Sequence, residues 1–214
     1  MIPLAVIFDC DGVVVDSEEI SFSILEQDLA DAGLTLDEAA MQSLFLGGTV
    51  ASFHAKARGL GADLPDDWVH DFYERLYAKL RLGVGLIPRV ADVLERLAAA
   101  GLRLAIGSNG SDEKMAIMLG QHPTVRDAFG GHLYSGQTLG RPKPAPDLYL
   151  HAARQLGVDP AHASVVEDSP TGARAARAAG MRCLGYAPHG NAALAAEGAE
   201  IFTDMAQLPG LLGL

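Results

Sequence analysis

Strand and helix patterns alternate along the chain from residue 86 onwards, and this alternation restricts the possible folds more than any other feature. One amphipathic helix, for example, starts after Pro88, keeps its apolar residues at helical spacing and ends at Gly101. The patterns predict strands over 102–106, 132–134, 163–167 and 181–186, and helices from 111, over 147–156 and over 171–179. Strands that alternate with helices form a parallel sheet with helices on both faces. We therefore predict an α/β fold with a Rossmann-like parallel core, in which ligands bind beyond the carboxyl ends of the strands.

The segment from residue 17 to about 83 has a different character, because it contains helical patterns and no strand pattern. It also holds more than half of the aromatic side chains of the chain, and the cluster of Trp68, Phe72 and Tyr73 at helical spacing predicts a hydrophobic core of its own. The sequence therefore predicts a small all-α cap domain over 16–85, inserted into a Rossmann-like catalytic core made of 1–15 and 86–214. Glycines near the second border would act as hinges.

Composition and charge exclude several classes of protein. The 214 residues carry a formal net charge of −11, which disfavours nucleic acid and anionic membranes as partners because both require a basic surface. No apolar run reaches the roughly 18–20 residues that a membrane helix needs, and the amino terminus lacks a secretory signal pattern. The two cysteines cannot form a disulfide framework. We expect a cytoplasmic monomer or homodimer with reduced thiols.

The first apolar run of the chain ends in two carboxylates, Asp9 and Asp11, followed by Gly12. Side chains two positions apart in an extended segment point the same way, so both carboxylates could face one ligand. A glycine at the next position lets the backbone approach that ligand closely. The same text is also compatible with a simple turn, because Asp-Gly is a frequent turn dipeptide.

Three later stretches place polar residues at or after the ends of other predicted strands. Ser108 and Asn109 offer a hydroxyl group and backbone amides that could hold an anion. Lys143 lies in a loop that prolines stiffen on both sides, and Glu167 and Asp168 end an apolar strand. Taken singly, each stretch also fits an ordinary turn, a solvated loop lysine or a helix cap.

Taken together, the four stretches predict a metal site. The carboxyl ends of parallel strands meet at one edge of a sheet, so these residues would converge in one crevice with four carboxylates and one lysine. Packed carboxylates repel each other unless a cation lies among them. An all-oxygen ligand set suits Mg²⁺ better than zinc. We therefore expect a Mg²⁺ ion in this crevice.

The motifs in this order resemble those of a known family, the haloacid dehalogenase-like hydrolases. The stretches that carry the resemblance are FDCDGVVVDSE, GSNG, RPKPAPD and VVEDSPTG, with a helical insert after the first. The resemblance covers nearly the whole chain. It is strongest to the branch of sugar-phosphate phosphatases and β-phosphoglucomutase-like proteins that carry a small helical cap, and part of the motif text is similar to 6-phosphogluconate phosphatase-like members.

The resemblance implies a role for each matched residue. Asp9 would be the nucleophile that takes the phosphoryl group as an aspartyl phosphate. Asp11 would protonate the leaving alcohol and then deprotonate the attacking water, a role that calls for a pKa raised by its anionic neighbours. Ser108 and the backbone amide of Asn109 would bind phosphate oxygens, and Lys143 would neutralise the developing charge.

The resemblance also implies a metal set and a substrate set. Asp9, Asp168 and the Asp11 carbonyl would ligate Mg²⁺, with Glu167 either a further ligand or a neighbour of the ligands. The expected partner is a small-molecule phosphate. The residues that would contact this substrate or its phosphate are Gly12, Ser108, Asn109, Lys143, Gly48 and Thr49.

Three functions of different kinds remain open on the sequence. Dehalogenase and phosphonatase relatives lack an aspartate two residues after the nucleophile, whereas Asp11 is present, so phosphoryl transfer is favoured. A phosphomutase of this branch has a histidine at the position of Ser21 and basic residues at the positions of Gly47 and Ala51. The absence of these residues favours hydrolysis of a phosphomonoester over a mutase reaction. A non-catalytic phosphosugar-binding protein that keeps the fold is the third possibility.

Overall fold

Parallel strands form the centre of the molecule. The computed structural model describes residues 2–37, 40–41, 44 and 49–214. Its strands are β1 (Ala5–Phe8), β2 (Val15–Asp16), β3 (Gly85–Leu86), β4 (Arg103–Ser108), β5 (Leu133–Ser135), β6 (Ala163–Glu167), β7 (Arg182–Tyr186) and β8 (Glu200–Phe202). Six of them form one sheet in the order β5-β4-β1-β6-β7-β8, and every pair in it is parallel. The predicted Rossmann-like parallel core is confirmed.

Helices cover both faces of this sheet. The core helices are α4 (Val90–Ala99), α5 (Asp112–Gly120), α6 (Pro123–Ala128), α7 (Asp147–Gln155), α8 (Pro170–Ala178), α9 (Ala192–Ala196) and α10 (Leu208–Leu211), with 3₁₀ turns at Pro160–His162 and Met205–Gln207. Alternate residues of β1 face opposite sides, as the pleat of a strand requires. Val6 and Phe8 belong to the apolar cluster that includes α4, α5, α6 and α10, whereas Ala5 and Ile7 belong to the cluster that includes α7, α8 and α9.

The segment between β2 and β3 is helical in its described part and forms the cap. Its helices are α1 (Glu18–Asp31), α2 (Val50–Gly59) and α3 (Trp68–Leu82). The predicted aromatic core of the cap is present, since Trp68 and Phe72 are buried and their rings lie 5.2 Å apart. β2 and β3 pair antiparallel where the chain leaves and re-enters the core, close to the two predicted borders. The domain limits themselves stay predictions.

The order of the strands determines where a ligand can bind. β4 lies on one side of β1 and β6 on the other, so the strand order reverses at β1. A crevice opens beyond the carboxyl ends of the strands at such a reversal. Asp9 follows the last residue of β1, Ser108 is the last residue of β4, and Glu167 is the last residue of β6. The three motifs therefore meet at one edge of the sheet.

The structure differs from the sequence-based expectation in some details. The strand predicted over 102–106 extends to Ser108, and the strand predicted over 132–134 is shifted by one residue to Leu133–Ser135. The edge strand β8 was not predicted. Cys10 and Cys183 are both buried and free. None of the helices in the described ranges is long and apolar enough to cross a membrane.

Candidate active site

A buried ion pair connects the ends of β1 and β6 through the Lys143 loop. Lys143 Nζ donates a hydrogen bond to Asp9 Oδ1 and a second one, of 2.7 Å, to Glu167 Oε1. All three residues are almost fully buried. Burial alone would lower the pKa of Lys143, but the two carboxylates outweigh it and raise that pKa, so the lysine stays cationic. The cation therefore lies fixed against the predicted nucleophile.

Glu167 is held by protein donors on both of its oxygens. Oε1 accepts hydrogen bonds from Lys143 and from the Tyr149 hydroxyl (2.7 Å), and Oε2 accepts from the Ser169 amide (3.0 Å) and hydroxyl (2.9 Å). Burial would raise the pKa of Glu167, yet Lys143 and these hydrogen bonds lower it. The sequence left two roles open for Glu167, a metal ligand or a neighbour of the ligands. This arrangement favours the second role, because hydrogen bonds from Lys143, Tyr149 and Ser169 already occupy both carboxylate oxygens.

Asp11 has a partner that the sequence analysis did not identify. Its Oδ1 accepts hydrogen bonds from Lys114 Nζ, at 2.6 Å, and from the Ser17 hydroxyl. Burial would raise the pKa of Asp11, but the Lys114 cation and these two hydrogen bonds lower it. The expectation that anionic neighbours raise this pKa is therefore wrong for the structure, because the partly buried Lys114 cation and the two hydrogen bonds lower it.

A signal for Lys114 was present in the sequence. Ser111 caps α5 by accepting a hydrogen bond from the Lys114 amide, which places this lysine in the first turn of the helix. Cations in the first turn oppose the helix dipole, and side chains there lean back toward the amino terminus. A lysine at this position in the helix after β4 therefore indicates an anionic partner at the end of the strand.

Asp168 lies beside Gly12, in the cavity that Asp9 also lines. Gly12 has φ +73°, and a Cβ atom at this position would overlap the Asp168 carboxylate. The Gly12 amide donates to the Val15 carbonyl at 2.9 Å, so this glycine contributes space rather than a free amide. Burial, together with Glu167, Asp9 and Glu18, raises the pKa of Asp168 well above its usual value. Burial likewise raises the pKa of Asp9, with Lys143 opposing.

The loop after β4 holds the Lys143 loop in place. The Asn109 side chain accepts from the Lys143 amide at 2.8 Å and donates to the Lys143 carbonyl at 3.2 Å, so it clamps that loop. The Ser108 hydroxyl accepts from the Gly110 amide at 2.9 Å. The Asn109 side chain is thus committed to structure, and only its backbone amide and the Ser108 hydroxyl proton remain for an anion.

The donor set fits a hard divalent cation. Asp9 and Asp168 are carboxylates whose burial raises their pKa, and such a pair is stabilised when a cation lies between them. Within the part of the chain that the structure describes, no group of three or more His, Cys, Asp or Glu side chains has metal-ligand spacing. The fit therefore depends on the two carboxylates Asp9 and Asp168, and carboxylate oxygens are ligands that a hard divalent cation prefers.

One cavity brings most of the predicted site residues together. Those lining it are Asp9, Asp11, Ser108, Asn109, Lys143, Asp168 and Thr49. Glu167 lies behind Lys143. Thr49 caps α2, its Oγ1 accepting from the Ser52 amide at 3.1 Å. The predicted contact Gly48, with its neighbour Gly47, lies outside the described residues.

The cap closes over this cavity through α3. The Tyr77 hydroxyl lies 2.5 Å from Ser111 Oγ at the start of α5. The Tyr73 hydroxyl accepts a hydrogen bond of 3.1 Å from Gln137, which also donates to the Asn109 carbonyl at 2.9 Å. One face of α3 is thus held against the loop that follows β4 and the start of α5.

Curated relatives and solved structures are similar to nearly the whole chain. It is 33% identical to the protein CbbY of Cereibacter sphaeroides, covering 98% of this chain and 96% of that protein. It is 30% identical to a 6-phosphogluconate phosphatase of Escherichia coli, covering 97% and 93%. It also matches SUPPRESSOR OF QUENCHING 1 of Arabidopsis thaliana with 33% identity, but spans only 17% of that protein.

The solved structures agree with these relatives. A haloacid dehalogenase-like protein of unknown function from Agrobacterium tumefaciens superposes with a TM-score of 0.87 at 33% identity, over 98% of this chain and 97% of that one. A CbbY variant from Rhodobacter sphaeroides in complex with xylulose-(1,5)bisphosphate superposes with a TM-score of 0.79 at 27% identity, over 96% of each chain.

The family model of haloacid dehalogenase-like hydrolases matches residues 3–180, which include all four motifs. Members of this family generally use a divalent metal. With the parallel core, the cap and the cavity between them, this match shows that the chain belongs to the haloacid dehalogenase-like hydrolases.

Proposed function

We propose that the chain is a Mg²⁺-dependent phosphatase that hydrolyses a small sugar phosphate, or a related polyol or sugar-acid phosphate, through an aspartyl phosphate on Asp9. Its class, a phosphoric monoester hydrolase, follows from the family and from its phosphatase-named relatives. The observation that carries the proposal is the cavity in which Asp9, Asp11, Lys143 and Asp168 meet.

In the first half of the reaction, a carboxylate oxygen of Asp9 attacks phosphorus and the bond from phosphorus to the alcohol oxygen breaks. Lys143, the Ser108 hydroxyl and the Asn109 backbone amide hold the phosphoryl oxygens while negative charge develops on them. Asp11 gives its proton to the departing alcohol oxygen. The phosphate dianion of the substrate raises the proton affinity of Asp11 as it binds, since it adds negative charge beside this carboxyl group.

In the second half, the alcohol leaves and water takes its place. Asp11, now ionised, accepts a proton from this water as its oxygen attacks the phosphorus of the aspartyl phosphate. The bond between phosphorus and the Asp9 oxygen breaks, which releases inorganic phosphate and regenerates the carboxylate. The low pKa of Asp11 in the resting structure suits this step, because the base must be ionised.

Asp9, Asp168 and the Asp11 carbonyl would hold the metal. When bound, Mg²⁺ supplies positive charge that offsets the phosphate and the neighbouring carboxylates. Lys143 and Glu167 are positioned without it, since they are fixed by hydrogen bonds within the protein.

Hydrolysis is favoured over the phosphomutase alternative by the lining of the cavity. A phosphomutase must hold a second phosphate, which requires a cation on the cap side. Among the described residues of the cap that line the cavity, none is basic. Complete catalytic motifs count against a non-catalytic binding protein.

An Asp9→Asn variant tests the proposal. We expect it to lose p-nitrophenyl phosphate hydrolysis in the presence of Mg²⁺ by on the order of 10³-fold or more, because the amide cannot act as the nucleophile. Asp16→Asn is the matched control, since Asp16 is an exposed carboxylate outside the cavity lining. Full activity in Asp9→Asn, with an unchanged melting temperature, would refute the assignment.

A further inference from the structure

The side of the cavity that would receive the leaving alcohol is formed mainly by the cap. Val50 at the start of α2, and Phe72 and Leu76 on α3, give it an apolar surface. The half-buried Tyr73 lies beside them with its hydroxyl held by Gln137. The hydroxyl of Ser21 donates to the Ser17 carbonyl at 3.3 Å. This wall thus combines apolar side chains with a few hydroxyl groups that already have partners.

The cations that reach the cavity are already paired. Lys143 contacts Asp9 and Glu167, and Lys114 contacts Asp11. A second anionic group on the alcohol would therefore compete with carboxylates of the protein for these two ammonium groups. It would also lie in a cavity that Glu18 lines with further negative charge.

Among the described residues of the cap, no basic side chain lines the cavity. Arg75 pairs with Asp28 at 2.5 Å inside the cap, and Arg81 pairs with Glu113 at 3.0 Å on the surface. The undescribed positions of the cap add no cation either, because they all fall within 38–48, which reads EAAMQSLFLGG and contains no Lys, Arg or His. The cap side of the cavity therefore offers no counter-charge to a second phosphate or a carboxylate.

We propose that the substrate carries its phosphate as the only anionic group, on a neutral alcohol that presents an apolar face to Val50, Phe72 and Leu76. This inference rests on the proposed phosphatase function and narrows it, because it excludes sugar-acid phosphates and bisphosphates. The named substrate of the 6-phosphogluconate phosphatase relative has a carboxylate, and the ligand in the CbbY complex has a second phosphate. This chain therefore differs from both relatives in specificity.

Matched pairs of esters that differ in one charge test the inference on the unmodified protein. Suitable pairs are benzyl phosphate with 4-carboxybenzyl phosphate, and glucose 6-phosphate with 6-phosphogluconate. We expect kcat/KM, measured as released phosphate, to be about 10-fold or more lower for the charged member, since an uncompensated charge beside like charges is costly. Equal values, or a preference for the charged member, would overturn the inference and leave the phosphatase function intact. No release from any ester would overturn the proposed function and this inference with it.

A cation added to the cap side of the cavity tests the inference in the opposite direction, because it would supply the missing counter-charge. Val50→Lys places a cation in the cavity, and we expect it to reduce the discrimination against 4-carboxybenzyl phosphate by about 10-fold. Leu60→Lys is the matched control, because it adds the same charge just beyond α2 at an exposed residue outside the cavity. Equal changes in both variants would contradict the proposal. If Val50→Lys does not fold, as judged by its melting temperature, the comparison of ester pairs decides alone.

Discussion

At the scale of single residues, one oxygen of Asp11 receives hydrogen bonds from both Lys114 and Ser17. This pair of donors fixes the carboxyl group in the lining of the cavity. We propose that Lys114 is a positioning residue for proton donation by Asp11. It is separated from Asp11 by 103 positions in the chain, so the local sequence pattern indicates an anionic partner for Lys114 but does not identify Asp11 as that partner.

A Lys114→Met variant should lose more activity on esters whose leaving group must be protonated than on esters whose leaving group departs as an anion. We expect kcat/KM for benzyl phosphate to fall by about 10- to 100-fold, and that for p-nitrophenyl phosphate by much less, because nitrophenolate leaves without protonation. Lys79→Met, at an exposed lysine of α3, is the control. Equal losses on both esters would contradict a positioning role, since a merely structural defect does not distinguish leaving groups.

Gly172 is a second residue that must be glycine, because the Glu167 carboxylate packs directly against its Cα atom. It lies in the first turn of α8, and a Cβ atom there would overlap the Glu167 carboxylate. We expect Gly172→Ala to displace Glu167, release Lys143 from its position and lower kcat by about 10-fold or more. Gly120→Ala, at a helical glycine with nothing within 4 Å of its added Cβ, should keep full activity. Wild-type kcat in Gly172→Ala would contradict the proposed role of Glu167.

At the scale of elements, α1 and α3 of the cap are joined by a buried carboxylate. Asp28 accepts hydrogen bonds from Trp68 Nε1 at 2.8 Å and from both terminal nitrogens of Arg75, at 2.5 and 2.7 Å. Removing this carboxylate leaves the buried indole donor without its partner. A buried donor without a partner costs about 1–3 kcal/mol.

Asp28→Ala should therefore lower the free energy of unfolding by about 2 kcal/mol, measured by urea denaturation. The control is Asp66→Ala, which removes an ion pair to Arg58 in which the aspartate side chain is 92% exposed. Exposed pairs contribute less than about 1 kcal/mol. A loss in Asp28→Ala no larger than in the control would show that this contact does not join the two helices.

The elements that the sequence predicted best are those with the strongest local signals. β1 is a continuous apolar run, and β6 is apolar except at Ser164 and its last residue, Glu167. α8 begins with a serine cap and a proline. The type of these elements therefore follows from short stretches of chain. β8 was missed because Glu200–Phe202 is short and only one of its three residues is buried. Which cap side chains line the cavity, such as Val50, Phe72 and Leu76, depends on tertiary packing, which helical periodicity does not determine.

At the scale of the whole molecule, a chain with a net charge of −11 concentrates buried carboxylates at one edge of its sheet. The parallel topology could be predicted because alternating strands and helices allow few arrangements. The parallel topology also predicted that the motifs at the ends of β1, β4 and β6 meet at one edge of the sheet. The topology did not predict that a second lysine, the partly buried Lys114, pairs with Asp11.

Magnesium should stabilise this molecule by binding the folded state. At 100-fold excess over its Kd, a ligand adds about 2.7 kcal/mol, which for a chain of this length raises the melting temperature by several degrees. NaCl at matched ionic strength is the control, because screening alone also stabilises a highly charged protein. We expect Asp168→Asn to lose the specific increase. An equal rise with NaCl and with MgCl₂ would contradict a metal site in the cavity.

The most direct test of the account is chemical trapping of the phosphorylated enzyme during turnover. Borohydride added to the protein with Mg²⁺ and benzyl phosphate should reduce an aspartyl phosphate to homoserine, and peptide mass spectrometry should find homoserine at position 9. Asp9→Asn, and wild-type protein without substrate, should give none. An enzyme that turns over under these conditions and yields no homoserine, or yields it at a different aspartate, would contradict the nucleophilic role of Asp9.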